Sequence, residues 1–332
     1  MHRTPAAFHL CRRALSSSAS QRAAAGAAAS PSTSSYAPPV KPGALPVYDA
    51  AVEYIRQDRE DKLRRLEQLR KDGAPQDVLD KLEVEAWSND PETRWNAKHG
   101  QGDMSKPVYR HLAERKWRKE GDLAILMQRV TQMHVTPDLL AEIYPRADVR
   151  IHVAGETIEP GVYTAPARTR DGFEVTAQVY HPEERLYTLL VVDPDVPDEF
   201  NQTFTSFAHR LVPNIPLSAS STTLPLSDVP AALAYVPPHP QNGTPYHRYT
   251  TLLLEQPTKL ELAAEPSRLG FSVRDFVEAH GLKPAGVSFF RQKWDKDVSA
   301  IYSEVLDAPE PRYGRPPKVD TYANRPAKYE IV

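Results

Sequence analysis

Two stretches decide how this chain folds. They are Asp193-Pro194-Asp195-Val196-Pro197, with His209 beyond it, and Gly243-Thr244-Pro245-Tyr246-His247-Arg248-Tyr249. Each adjoins an apolar run: Leu186-Tyr187-Thr188-Leu189-Leu190-Val191-Val192 leads into the first, and Thr250-Thr251-Leu252-Leu253-Leu254 follows the second. Short runs of Leu, Val and Thr bounded by Pro, Gly and Asp predict buried strands. An Asp at one strand end and a His beside the other can meet in one pocket. Backbone N–H groups and an imidazolium would serve there as donors to an anion.

At these residues the chain resembles the phosphatidylethanolamine-binding protein (PEBP) family. That family carries an Asp-Pro-Asp-x-Pro box, a His beyond it, and a Gly-x-x-x-His-Arg-Tyr box. The likeness extends to Phe290-Arg291-Gln292-Lys293-Trp294-Asp295-Lys296-Asp297 and Tyr302, which are similar to the family's closing helix. It covers residues 137–306. The resemblance implies a fold that is mainly β with flanking helices, a PEBP-like antiparallel β-sheet domain. It also implies that Asp193, Asp195, His209, His247, Tyr249 and Tyr302 line a pocket for a small anion. Ala208 stands where members often pair a second His with the first, and Phe207 replaces a Trp. Pro240-Gln241-Asn242-Gly243 replaces a Pro-Pro-x-Gly turn. The rim is altered while the floor is kept. Two readings stand open: a working ligand site, or a satisfied polar network that organises strand ends.

Two histidines and a carboxylate can also hold zinc or iron. Asp193, His209 and His247 are far apart in sequence, however, and no His-x-x-x-His pair occurs among them, so no metal or other cofactor is expected. The only cysteine is Cys11, which excludes an internal disulfide. The chain has no Gly-x-Ser-x-Gly elbow, phosphate-cradling Gly loop or dinucleotide fingerprint, and nothing in it calls for an enzyme.

Upstream the period changes. Val52, Ile55, Leu63, Leu66 and Leu69 recur at helical spacing and predict a helix from Tyr48 to Lys71, ended by Asp72-Gly73. A second helix follows over Pro75–Trp87. A third opens at Pro91 with Asp90 as its cap, and a longer one spans Pro107–Met133. Residues 45–135 hold 17 Lys/Arg and 17 Asp/Glu, so their apolar stripes are narrow and need something to lie on. Trp87 to Asn96 is too aromatic for a linker and reads as a docking segment. Lys106, Arg110, Arg115, Lys116, Arg118 and Lys119 stand in one segment with Tyr109, Trp117 and a single acid, Glu114. This is either a surface for RNA phosphates or a protein partner, or a solvated face anchored by a buried Trp117.

The first acidic residue is Asp49, although a quarter of the 332 residues are charged. Arg3, Arg12, Arg13 and Arg22 among many Ser and Ala predict a mitochondrial presequence over residues 1–30. Residues 31–47 read as an extended arm, 48–136 as a helical extension and 307–332 as an extended tail, in a chain with 32 Pro and only 14 Gly. The net charge of −2 excludes a strongly basic nucleic-acid binder as a whole but not local basic patches. No apolar run is long enough to span a membrane.

Long arms on a compact domain suit a component of a large ribonucleoprotein, where arms bury surface against neighbours. The combination resembles the mitochondrial large-ribosomal-subunit proteins that carry a PEBP-like domain, in their fungal form. That resemblance implies a structural role in mitochondrial translation in the matrix. The implied partners are large-subunit proteins and rRNA near the central protuberance. The alternative is a soluble mitochondrial PEBP-type protein that binds phospholipid headgroups or other anions, or inhibits a partner enzyme.

Overall fold

The computed structural model describes residues 36–226, 228–262 and 264–314. The presequence expected at 1–30, the first part of the arm and the tail beyond 314 lie outside the described residues.

Two antiparallel sheets and a layer of helices make the β-rich part. The larger sheet contains β4 (Arg185–Asp198), β5 (Thr203–Leu217), β6 (His247–Glu255) and β7 (Lys283–Gln292), in the order β5-β4-β6-β7. The smaller contains β1 (Asp148–Val153), β2 (Glu156–Ile158) and β3 (Glu174–Gln178), in the order β2-β1-β3. Between the sheets lie Val149, Val175, Ala177, Leu189, Val212, Ile215 and Leu253, with Ile151, Tyr249 and Phe290 continuing the layer. Leu190, Val192, Leu211, Leu252, Val287 and Phe289 point out of the opposite face of the larger sheet and meet helices. Each fully buried Leu or Val contributes about 1.5–3 kcal/mol relative to exposure.

The helices before the sheets are α1 (Pro46–Lys71), α2 (Gln76–Trp87), α3 (Pro91–Lys98), α4 (Pro107–Lys119), α5 (Asp122–Gln132) and the single turn α6 (Val135–Asp138). The expected helix over 107–133 is two helices. Gly121 breaks it with a left-handed φ of 115°, which a side chain would resist. The break lets α5 fold onto the larger sheet, so Leu126 and Val130 join Val135, Leu139, Leu140 and Ile143 in the main core. That core therefore begins well before residue 137. Two more helices, α7 (Val273–Ala279) and α8 (Lys296–Glu304), lie after β6. The expected closing helix begins only at Lys296: Phe290, Arg291 and Gln292 finish β7, pairing with Tyr249, Arg248 and His247.

Asp90 caps α3 as read, accepting from the Thr93 N–H and hydroxyl, both at 2.9 Å. It also takes an ion pair from Arg59 of α1, which lies 4.7 Å over the Trp87 ring. Trp95 is stacked on His99 and met edge-on by Tyr36 of the arm. The aromatic segment is thus engaged within the helical region. No helix among the described residues is long and apolar enough to cross a membrane.

Candidate functional site

Alternation along β6 decides what each polar residue reaches. His247 and Tyr249 share a face with Leu253, between the sheets, while Arg248 shares the helix-facing side with Leu252 and Leu254. On β4 an irregularity falls between Asp193 and Val196, and Asp193 Oδ1 accepts the Asp195 N–H at 2.9 Å. This local bond turns the two aspartates apart. Asp193 goes to His247, whose Nδ1 lies 2.6 Å from its Oδ2. Asp195 goes to Arg248 with both oxygens: Nη2 donates at 2.6 Å, and Nε and the backbone N–H each donate at 2.8 Å. Arg248 Nη1 continues to Asp138 at 2.8 Å and the Met133 carbonyl at 2.7 Å. Burial opposes the charge on this guanidinium, but Asp195 and Asp138 outweigh it and hold its pKa above the ordinary range.

Five of the six residues that the resemblance assigns to the pocket therefore gather, and Asp195 does not face it. Asp193, His209, His247 and Tyr249 are at most 1% exposed, and Tyr302 is also buried. His209 lies 5.1 Å from the Tyr249 ring and 5.1 Å from a residue that the motifs did not flag, His239. His239 in turn meets Tyr302 edge-on at 5.4 Å and Phe207 at 5.1 Å. Its only trace in the sequence is its place in the run Pro237-Pro238-His239-Pro240, whose rigid backbone returns an imidazole to the cluster.

The hydrogen bonds fix the protons. The Val236 carbonyl can only accept, so His209 donates from Nδ1 at 2.9 Å and Nε2 of the neutral ring is a bare acceptor with no partner. Burial, with His239 adding to it, pushes the His209 pKa down to about 3, and burial likewise lowers that of His239. Thr244 spends its hydroxyl proton on the Gln241 carbonyl at 2.8 Å and receives His247 Nε2 at 2.9 Å. His247 is thus engaged at both nitrogens, by Asp193 and by Thr244. Burial works to raise the Asp193 pKa, but the His247 charge and hydrogen bond outweigh it, and the net direction is down. Tyr249 leans toward Asp193 without completing a hydrogen bond, and burial raises its pKa well above the ordinary value.

The cluster is closed. Tyr313 donates its N–H to the Asn242 carbonyl at 2.8 Å, and its own carbonyl lies 2.0 Å from where a Cβ on Gly243 would sit. Glu310 fastens the same segment to Trp294 and Ser299. Two clefts open elsewhere. One of about 230 Å³ lies between α5 and the smaller sheet, lined by Ile125, Leu126, Arg150, Ile158 and Ser288. The other, of about 470 Å³, lies between α2, α4 and Tyr180. None of the clustered residues lines either. Among the described residues no group of His, Cys, Asp or Glu has the arrangement for a metal ion.

The basic segment of α4 divides. Lys106, Arg115, Lys116, Arg118 and Lys119 are exposed, with Arg118 paired to Glu114 at 2.8 Å. Arg110 and Trp117 turn inward. Arg110 is 6% exposed, donates to the Ser105 carbonyl at 2.6 Å and pairs with Asp80 at 3.3 Å. Trp117 is 4% exposed and packs on Tyr180 at 5.9 Å.

Residues 151–290 match the family model of the phosphatidylethanolamine-binding protein, and the two sheets with their flanking helices form a PEBP domain. Over 234 residues the chain is 28% identical to the large ribosomal subunit protein mL38 of Schizosaccharomyces pombe (strain 972 / ATCC 24843), a match covering 68% of this chain and 75% of that protein. Among solved structures it is similar to a carboxypeptidase Y inhibitor complexed with its cognate proteinase, at 16% identity and a TM-score of 0.47 over 52% of this chain and 96% of that one. It is also similar to a phosphatidylethanolamine-binding protein from Plasmodium vivax, at 17% identity and a TM-score of 0.39 over 51% of this chain and 97% of that one.

Proposed function

We propose that the protein is a structural constituent of the large subunit of the mitochondrial ribosome, acting in the matrix. In this reading it holds neighbouring large-subunit proteins and rRNA near the central protuberance and performs no catalysis. One observation carries the reading. The similarity to mL38 spans 68% of the chain, more than residues 151–332 can supply, so it runs into the helices before the sheets. The helices support it further. Leu66 is the only buried residue of α1, and Val47 and Tyr54 are 84% and 74% exposed, as expected of surface that a neighbour covers. Lys106, Arg115, Lys116 and Lys119 offer cations to phosphates.

The test is sucrose-gradient sedimentation of a mitochondrial lysate, probed for this protein at low and high salt. Migration with the large subunit that survives high salt is expected, because contacts beyond screened charge hold the protein. A peak at the top of the gradient overturns the reading. Arg115→Glu, Lys116→Glu and Lys119→Glu together should lower incorporation while leaving stability within about 0.5 kcal/mol; an unchanged subunit profile would mark that face as merely solvated.

A second reading, a soluble anion binder, draws on the unpartnered His209 Nε2 and Tyr249 hydroxyl. Against it, His247 is spent on Asp193 and Thr244, and His209 is held neutral. Calorimetric titration with phosphate decides: binding lost in His247→Ala would support this reading, and no heat with the unsubstituted protein would remove it.

A further inference from the structure

At the edge of the larger sheet, outside the histidine cluster, two tyrosines and two cations gather. Tyr163 is fixed there by main chain: it bridges Arg291, the Arg291 N–H donates to the Val162 carbonyl at 2.9 Å, and the Thr164 N–H donates to the Arg291 carbonyl at 2.9 Å. The Arg291 guanidinium lies 4.0 Å from the centre of the Tyr163 ring and 5.4 Å from that of Tyr246. The Lys293 ammonium lies 5.0 Å from Tyr163, and the two rings meet edge to face at 6.2 Å. Tyr163 is 45% exposed, and Lys293 is exposed. Arg291 Nε is aimed by the Gly161 carbonyl at 2.7 Å. Among the described residues no carboxylate lies within ion-pair reach of Arg291 or Lys293, although the chain has 43 acids. Asp295, the nearest acid in sequence, caps α8 instead.

An exposed aromatic face with two uncompensated cations fits an anion that carries π faces of its own. Bases stack on tyrosine rings and on guanidinium planes, and phosphates take the ammonium and the remaining guanidinium N–H groups. An acidic peptide would answer the charges and leave the rings unused. We infer that Tyr163, Tyr246, Arg291 and Lys293 form a docking platform for a single-stranded segment of RNA. The inference rests on the ribosomal reading for the source of that RNA.

The test uses the full chain with Arg115, Lys116 and Lys119 reversed to Glu, so that α4 does not compete. A fluorescein-labelled single-stranded RNA of about twelve nucleotides is followed by anisotropy at two salt concentrations. Tyr163→Ala should weaken binding about ten-fold and Tyr163→Phe hardly at all, since the ring remains. Lys293→Ala, an exposed change that leaves the fold alone, should weaken it about three-fold and flatten the salt dependence. Equal affinity across these variants overturns the platform. So does a polyglutamate competitor that displaces the RNA at equal concentration, which would make it an acidic-peptide site. The two ideas fail separately: a protein that migrates with the large subunit but binds RNA equally in all variants loses only the platform. One that binds RNA as expected but stays at the top of the gradient loses only the ribosomal reading.

Discussion

The helices α1–α4 are about twice as dense in charged residues as the β-rich part, and the two regions place that charge differently. The β-rich part builds two ion-paired sets on buried side chains, Asp193 with His247 and Arg248 with both Asp195 and Asp138, beside exposed pairs such as Arg168 with Glu156. In the helices most pairs are exposed neighbours one turn apart, such as Arg56 with Glu53 and Lys81 with Asp77, where solvent screens the attraction. The apolar side follows suit. Leu189, Leu190, Leu211, Leu252 and Leu253 are at most 1% exposed, whereas α1 buries a single leucine. One region is packed around a deep core, and the other buries little of its own surface.

The largest expected effect tests where the boundary between them lies. Deleting residues 46–120 should leave a cooperatively folding β-rich protein, because α5 remains. Deleting 46–135 should abolish cooperative unfolding, because it removes Leu126, Val130 and Val135 from the main core. Urea titration of both, followed by tryptophan fluorescence and circular dichroism, would break the comparison if they behaved alike. Next comes Leu252→Ala, which should cost about 3–4 kcal/mol, against no more than about 2 kcal/mol for Leu66→Ala in α1. Equal losses would mean that α1 is cored more deeply than its exposure indicates.

Arg248→Ala should cost about 3 kcal/mol, because Asp195 and Asp138 lose their shared cation. A loss below about 1 kcal/mol by chemical denaturation would show the ion pairs to be replaceable by water. The smallest effect is pH-dependent. His209 is held neutral with its pKa near 3, against about 6.5 in the unfolded chain. The unfolded state therefore binds the extra proton between these values. The stability from this group is complete above about pH 6.5 and falls by about 1.4 kcal/mol per unit as the pH drops toward 3. His209→Phe should flatten that slope by about one proton in urea titrations from pH 7 to 5; an unchanged slope would place the proton uptake on other groups.

The central strands were legible in the sequence because β4 and β6 are covered on both faces and read as unbroken apolar runs. β5 was harder to find. As an edge strand it tolerates Pro213 and Pro216 and carries His209 and Arg210, so neither alternation nor an apolar run marks it. β7 was obscured because Phe290 to Gln292 end a strand that the resemblance had joined to the following helix. At the site, the box motifs pointed to Asp193 and His247. They could not show that one local hydrogen bond sends Asp195 to the other face, because a strand irregularity depends on register with β5. The inward turn of Arg110 and Trp117 was likewise hidden, since it depends on Asp80 and Tyr180, brought near only by folding.

Arg248 has a consequence for descent. Its guanidinium ties the Asp-Pro-Asp box to Met133 and Asp138, outside the span that matches the family model. A recombination event that exchanged the sheets and left the helical leader behind would strand a cation at one end and an acid at the other. An exchange that keeps these contacts has to carry Met133 and Asp138 along with the sheets, so the exchangeable unit is wider than the span that matches the family model.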